Sequence, residues 1–365
     1  MNVLFTPFTI GRLEVKNRFV RSATQHRMGH TDGSITAQDI AYYERLAAGG
    51  IGLIISASSY VSFPGGRSGA RQNALYHDRF IDGYRAVAAA VHKHGAKFVI
   101  QLSHAGRQTV PELIGGGRPQ APSSVPNGAA GVMPAELSNG EIEAIIDDFV
   151  AAMVRAGKTG CDGIQLHIAH GYLLSQFLSP HTNRRTDRWG GSAENRARIL
   201  GEILARAKAV MPPEFPILAK LNTTDGFTGP QYLSLEDAVW TAKLLASLGV
   251  ICIEISGGIQ EAKGVMARPG IQSPTEEAYF AAAARAVKQA VSMPLMLVGG
   301  LRSMAVMEQI VRGGTAELVA LSRPFICEPD LVKKFAAGQT RANCISCNRC
   351  FSTESLRCYA TSQTP

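Results

Sequence analysis

Short runs rich in β-branched and aliphatic residues recur along the chain, at positions 18–23, 52–58, 97–103, 163–169, 216–222, 250–256, 294–300 and 317–323. Between them lie segments such as IDGYRAVAAAVHKHG and LEDAVWTAKLLASLG, where apolar residues return with the period of an amphipathic helix and end near a glycine suited to the left-handed C′ position. Strand and helix thus alternate eight times, which predicts parallel βα units closed into an α/β fold of the (β/α)8 TIM-barrel type. A doubly wound open sheet is the alternative. No strand run is followed by G-x-G-x-x-G opening a helix, so that fold's dinucleotide fingerprint is absent.

Barrels of this kind carry their chemistry at the C-terminal ends of the strands. Here those ends are polar: Ser22, Ala23, Thr24 and Gln25 on the first run, Ser58 on the second, Gln101 and His104 on the third, His167 and His170 on the fourth, Lys220 and Asn222 on the fifth. The last two offer Gly299-Gly300 and Ser322-Arg323. A buried polar group without a partner costs about 1–3 kcal/mol, so this convergence predicts a ligand site rather than a core. Phosphates in barrels are commonly held after strands seven and eight, where glycine N–H groups, a hydroxyl and a guanidinium now stand together. The bland alternative is a tight glycine turn with Arg323 paired to a helix-surface carboxylate.

Composition narrows the class. At 365 residues and 45% hydrophobic, the chain can build one large core, read as residues 1–340, with 341–365 as a cysteine-rich tail. The start, MNVLFTPFTIGRL, lacks the basic and apolar regions of an export signal, and no run reaches about 18 apolar residues, so a cytoplasmic protein without a membrane span is expected. A net charge of +8 suits anionic small molecules. The basic residues are scattered and no nucleic-acid motif organises them, so a small-molecule substrate is expected and nucleic acid is not. Self-association is left open.

The segments LFTPFTIGRLEVKNRFV, DGSIT…YYERLAAGGIGLII, IQLSHAGR, HIAHGYLLSQFLSPHTNRRTDRWGGSAENRARIL and VALSRPFICEPD, spread over nearly the whole chain, resemble the old yellow enzyme family of FMN-dependent ene-reductases. Within it the chain is most similar to single-domain NADH:flavin oxidoreductases and to the barrel domains of dienoyl-CoA reductase and trimethylamine dehydrogenase. The resemblance implies FMN, reduced by NAD(P)H, passing hydride from N5 to the β-carbon of an α,β-unsaturated carbonyl compound. It implies that His167 and His170 donate to the substrate oxygen and that Tyr172 protonates the α-carbon. It places Ala23, Thr24 and Ser58 at the flavin's pyrimidine edge, Gln101 on its N3/O2 side and Lys220 near N1 and O2, where many relatives carry arginine. Gln25 stands where relatives often have cysteine, threonine or histidine. Chemistry supports the histidine reading independently: on a continuing strand His167 and His170 would face opposite ways, but a turn at Ala169 and Gly171 lets both imidazoles and the Tyr172 hydroxyl share one mouth. Zinc at the two histidines lacks a third ligand nearby.

Several readings stay beside the main one. Lys220 could serve as a Schiff-base nucleophile in an aldolase, or balance a buried carboxylate such as Asp225. Oxidative demethylation of a methylated amine and a non-catalytic flavin carrier are further alternatives. Arg184, Arg185, Asp187, Glu194 and Arg196 are expected to pin a long loop, with Ser192 as an N-cap. Residues 109–131 are expected to form a lid or pocket wall, and Arg268 to meet an anion or solvent. In the tail, Cys344, Cys347, Cys350 and Cys358 are spaced C-x2-C-x2-C-x7-C, near the local spacing of iron-sulfur ligands. An iron-sulfur cluster, zinc and bare thiols all remain open there. The tail is expected to be a structural clip, so that truncation after Gly338 lowers stability and spares most turnover.

Overall fold

A computed structural model of the chain describes residues 2–128, 131–351 and 356–360. All eight expected strands form: β1 (Phe19–Arg21), β2 (Leu53–Ile55), β3 (Lys97–Ser103), β4 (Gly163–Ile168), β5 (Ile217–Asn222), β6 (Cys252–Ser256), β7 (Leu295–Leu297) and β8 (Leu318–Leu321). Each pairs in parallel with its neighbours, and β2–β3 and β8–β1 close the ring. A two-residue strand, Ser59–Tyr60, adds to the edge of β3. The barrel predicted from the alternation is therefore the fold.

Side chains of alternating parity point into the barrel, and their chemistry changes along its axis. At the bottom, Val20, Leu53, Ile55, Val99, Leu218, Cys252, Met296 and Leu318 form one apolar cluster. It is plugged by Ile10, Leu13 and Val15 of an N-terminal antiparallel hairpin, Phe8–Ile10 with Leu13–Val15. Higher up the same parity delivers Gln101, Gln165, His167, Lys220 and Glu254, all buried. The plug keeps the bottom dry, so a polar layer above it has access only to the mouth.

The outer helices begin with sequence-encoded caps. Capping boxes open Ala37–Ala48 (Thr36 with Asp39), Asn139–Gly157 (Ser138 with Glu141) and Leu235–Ser247 (Ser234 with Asp237), and Ser192 caps Ala193–Val210 as expected. The arginine-rich loop before that last helix is pinned as the sequence suggests. Arg185 donates to Leu137 O and Pro122 O and pairs with Asp187, and Arg196 reaches Leu178 O and Asp237. No helix among the described residues is long and apolar enough to cross a membrane.

Candidate active site at the barrel mouth

A cavity of about 440 Å³ opens above the polar layer, within the range of small-molecule sites. Ser22, Ala23, Thr24, Gln25, Ser58, Gln101, His167, His170, Tyr172, Lys220, Gly300, Ser322 and Arg323 all line it. Of the strand-end residues read from the sequence, Gly299, His104 and Asn222 do not. Gly299 packs against Tyr279 and Phe280 and makes the turn that presents Gly300. His104 is buried with Nε2 lacking a partner and Nδ1 accepting from Gly106 N, and Asn222 secures the backbone of Thr224.

The histidine pair is built by a backbone reversal. β4 stops at Ile168, and His170 then takes φ +64°, a left-handed conformation that few residues other than glycine accept. Gly171 follows at φ +76°, again left-handed, and a Cβ there would press on the Gln108 amide and on Ile259, so glycine suits both the backbone and the packing. The reversal puts the His167 ring 5.2 Å from that of His170 and 4.8 Å from that of Tyr172. His170 Nε2 hydrogen-bonds with Ser256 Oγ at 2.7 Å. Burial, reinforced by the Lys220 ammonium, holds both imidazoles well below the usual histidine range, so both are neutral near pH 7. Burial pushes the Tyr172 phenol up against the opposing pull of Ser68 and Arg27, so it keeps its proton.

Lys220 does balance a buried carboxylate, but it is Glu254 and not Asp225. Its Nζ lies 3.0 Å from Glu254 Oε1 and 2.8 Å from Ser22 Oγ, whereas Asp225 is taken by Ser179 and the Leu233 amide. The barrel register explains the choice, because β5 pairs Lys220 with His167 on one side and Glu254 on the other. Glu254 and Gln165 were missed altogether. The available signal was parity: a carboxylate between Cys252 and Ser256, and an amide two residues before His167, stand at inward positions of otherwise apolar strands.

One further expectation changes, that of residues 109–131, while Arg268 is exposed to solvent as expected. No described residue of 109–131 lines the cavity; the wall comes instead from the excursion after β6, with Ile259, Gln260, Ala262, Lys263, Gly264, Met266 and Ala267. The long loop is held to itself and to the scaffold, through strand Gln120–Ala121 paired with Ala135–Glu136 and through buried Arg107, which bonds Pro126 O and Glu261. Arg268 stacks 4.7 Å from the Tyr279 ring centroid while its carbonyl accepts from Arg323.

The tail is also more than a clip. Ser346, Asn348, Cys350, Phe351 and Leu356 line the mouth cavity, and Leu356 N donates to His26 O. Arg323 Nη1 donates to Asn348 Oδ1 at 2.6 Å, Arg268 O at 2.8 Å and Ser346 O at 3.3 Å. Its partners are thus backbone and amide oxygens, not the helix-surface carboxylate of the bland reading. Behind it, Cys344, Cys347, Cys350 and Cys358 line a second cavity of about 10 Å³, room for about one water. Among the described residues no three ligating groups close on a point as a mononuclear metal requires.

The mouth fits a flavin nucleotide by its own chemistry. A cation and a carboxamide, Lys220 and Gln101, lie at its floor, glycine backbone and a guanidinium stand at its far side, and buried His167 Nδ1 and Gln108 Oε1 at its wall have no partner.

Comparison with known proteins accords with that fit. A family model described as NADH:flavin oxidoreductase / NADH oxidase matches residues 3–342. The NADH oxidase of Thermoanaerobacter brockii is 39% identical over 363 residues, covering 97% of this chain but 55% of that protein. This chain therefore spans about half the length of that relative. The NADPH dehydrogenase of Geobacillus sp. (strain WCH70) is 34% identical over 328 residues, 90% of this chain and 92% of the relative. Among solved structures, a 2-naphthoyl-CoA reductase in complex with 2-naphthoyl-CoA superposes with TM-score 0.88 at 28% identity, over 95% of this chain and 54% of that one.

Proposed function

The chain belongs to the NADH:flavin oxidoreductase / NADH oxidase family, and from that premise we propose that it reduces the activated double bond of an α,β-unsaturated carbonyl compound at the expense of NAD(P)H. The observation that carries the reading is the convergence of two neutral imidazoles and a protonated phenol on one cavity. Ser22, Ala23, Thr24, Gln25, Ser58, Gln101, His167 and Lys220 would hold the ring system of FMN, and Gly300, Ser322 and Arg323 its phosphate. When bound, FMN supplies a hydride acceptor and donor at N5.

The chain's own groups do the rest. A Ser256 hydroxyl donating to His170 Nε2 leaves the ring proton on Nδ1. With His167 this gives two uncharged donors for one carbonyl oxygen, which draw electron density from the alkene as negative charge develops on that oxygen. Because both are neutral, neither delivers its proton prematurely. Tyr172 then donates its proton to the α-carbon, a task that suits a phenol kept protonated by burial.

The lining chemistry separates this from the alternatives. No Asp or Glu lines the cavity among the described residues, while Arg27, Lys220, Lys263 and Arg323 do. An ammonium substrate would meet cations without a counter-ion, which disfavours amine demethylation. Lys220, held by Glu254 and Ser22, is positioned as a cation rather than a Schiff-base nucleophile.

A second reading concerns the tail: Cys344, Cys347, Cys350 and Cys358 ligate an iron-sulfur cluster. It is supported by their shared cavity and by their local spacing. A cavity of about 10 Å³ would have to widen to take it. Iron and sulfide analysis of anaerobically purified protein tests this, with about four of each per chain expected and zinc or empty thiols as the contrary results. The main proposal is tested by anaerobic reduction with NADPH followed by an enone such as cyclohexenone. Reoxidation of bound FMN with formation of the saturated ketone is expected, and a methylated amine that reduces the flavin while enones leave it reduced would overturn it.

A further inference from the structure

Glu254 is fully buried near the axis of the barrel and does not line the cavity. None of the steps above uses it. An ionised carboxylate is acceptor-only, so its neighbours must all donate toward it. They do: Oε1 accepts from Ser22 Oγ at 2.5 Å and Lys220 Nζ at 3.0 Å, and Oε2 accepts from Gln165 Nε2 at 3.0 Å.

That last bond fixes the direction of a chain. With its amide nitrogen turned to Glu254, Gln165 has only its oxygen left for the next residue, and Gln165 Oε1 accepts from Gln101 Nε2 at 2.7 Å. Gln101 is thereby turned so that its own Oε1, an acceptor, is the end left for the cavity it lines. One carboxylate therefore orients the two groups at the cavity floor, an ammonium through a direct ion pair and a carboxamide through one intervening amide. Reversing both amides would set Gln165 Oε1 against Glu254 Oε2, two acceptors with no proton between them. Glu254 forbids that.

We propose that Glu254 is a positioning residue for the flavin. It pins the Lys220 cation and the acceptor face of Gln101 toward the pyrimidine edge of the ring, and its own negative charge offsets the lysine and holds the flavin potential down. The proposal rests on the reading of the mouth as an FMN site. The charge argument has a definite sign: a cation near N1 and O2 favours the anionic reduced flavin, so an adjacent anion opposes it. Holding the potential down favours hydride leaving the reduced flavin for the substrate.

The test is the midpoint potential of FMN in the purified holoprotein, measured by anaerobic dye equilibration for wild type, Glu254→Gln and Glu254→Asp. Glu254→Gln keeps the shape and removes the charge. The reduced form should be favoured at least tenfold over wild type, a rise of about 30 mV for the two-electron couple. Flavin reduction by NADPH should quicken while reoxidation by the enone slows. Glu254→Asp keeps the charge and should stay within about threefold of wild type. If Glu254→Gln fails to fold around its unpaired lysine, the orienting role is read in Gln165→Leu, which keeps both charges and cuts Gln101 off from Glu254; FMN affinity should fall at least about threefold, and unchanged affinity overturns that role. Holoprotein with an unchanged or lowered potential on loss of Glu254 overturns the proposal while leaving the FMN site standing. A wild-type protein that takes up no FMN overturns the site itself.

Discussion

The barrel mouth and the cysteine tail meet at Arg323, and they are held by different means. At the floor of the mouth the groups are placed by the ladder: the register sets Gln101 beside Gln165, His167 beside Lys220 and Lys220 beside Glu254, and the polar layer sits on an apolar plug. Among the described residues of the tail, the single regular element beyond Arg341 is a three-residue 3-10 turn, Arg349–Phe351. Its course is fixed by scattered contacts, chiefly those of the Arg323 side chain and the backbone bond from Leu356 N to His26 O. A site written into a ladder survives loss of single contacts, whereas a wall hung on a few bonds fails as a unit.

The largest effect is expected at the proton donor. Tyr172→Phe should slow enone reduction by roughly 10²–10⁴-fold, the usual contribution of general acid catalysis, while flavin reduction by NADPH and phenol binding stay near wild type. Stopped-flow measurement of the two half-reactions separates them, and an unchanged reoxidation rate would move the proton source to water or another residue. His167→Ala and His170→Ala remove donors used in both ground state and transition state. Each should weaken phenol binding and slow reoxidation together by about 5–150-fold, the equivalent of 1–3 kcal/mol. A loss confined to the rate would deny them a role in binding.

The tail comes next. Asn343 and Ala342 are tied to Glu328 and Arg302 at the barrel's edge, so ending the chain at Asn343 isolates the cysteine segment better than truncation at Gly338. Removing it strips Arg323 of two acceptors and opens the side of the cavity lined by Phe351 and Leu356. FMN affinity should fall about tenfold, the loss of about one charge-assisted hydrogen bond, with turnover recovering when FMN is added in excess. Full affinity in the truncated protein would return the tail to the role of a clip.

A separate effect, on the fold rather than on turnover, should appear in stability against pH. His26 is held down at about 4 and His104 at about 3, with burial the leading cause in each, and His167 and His170 also lie well below 6.5. In the unfolded chain these imidazoles take up protons near pH 6.5, and in the folded chain they do not. The stability they contribute is therefore complete above about pH 6.5 and declines as pH falls toward the folded values, by at most about 1.4 kcal/mol per pH unit for each imidazole. Urea midpoints flat between pH 7.5 and 5 would show that these histidines are hydrated.

What could be read from the sequence follows the same division. Eight strands and the polar character of their ends were legible because alternation and strand-end polarity are local patterns, and the His167–His170–Tyr172 turn is likewise contained in six residues. Glu254 was not, because its meaning lies in a neighbour 34 positions back along the chain, Lys220, that only the barrel's closure brings near. The choice of wall was also illegible. Residues 109–131 have the length and composition of a lid, yet the excursion after β6 lines the cavity, with Arg107 bonding the long loop at Pro126 O and that excursion at Glu261. The cysteine spacing was visible, but nothing local says that the same segment also closes the mouth.

The central claim is that the mouth holds FMN above Lys220 and uses it to reduce an alkene polarised by the two histidines. Its most direct test is the visible spectrum of the purified chain, taken through one anaerobic cycle of NADPH reduction and titration with cyclohexenone. The account predicts one FMN per chain, bleached by NADPH and restored by one equivalent of the enone. A protein that binds no flavin, or one whose reduced flavin is left bleached by the enone and reoxidised only by oxygen, would contradict it.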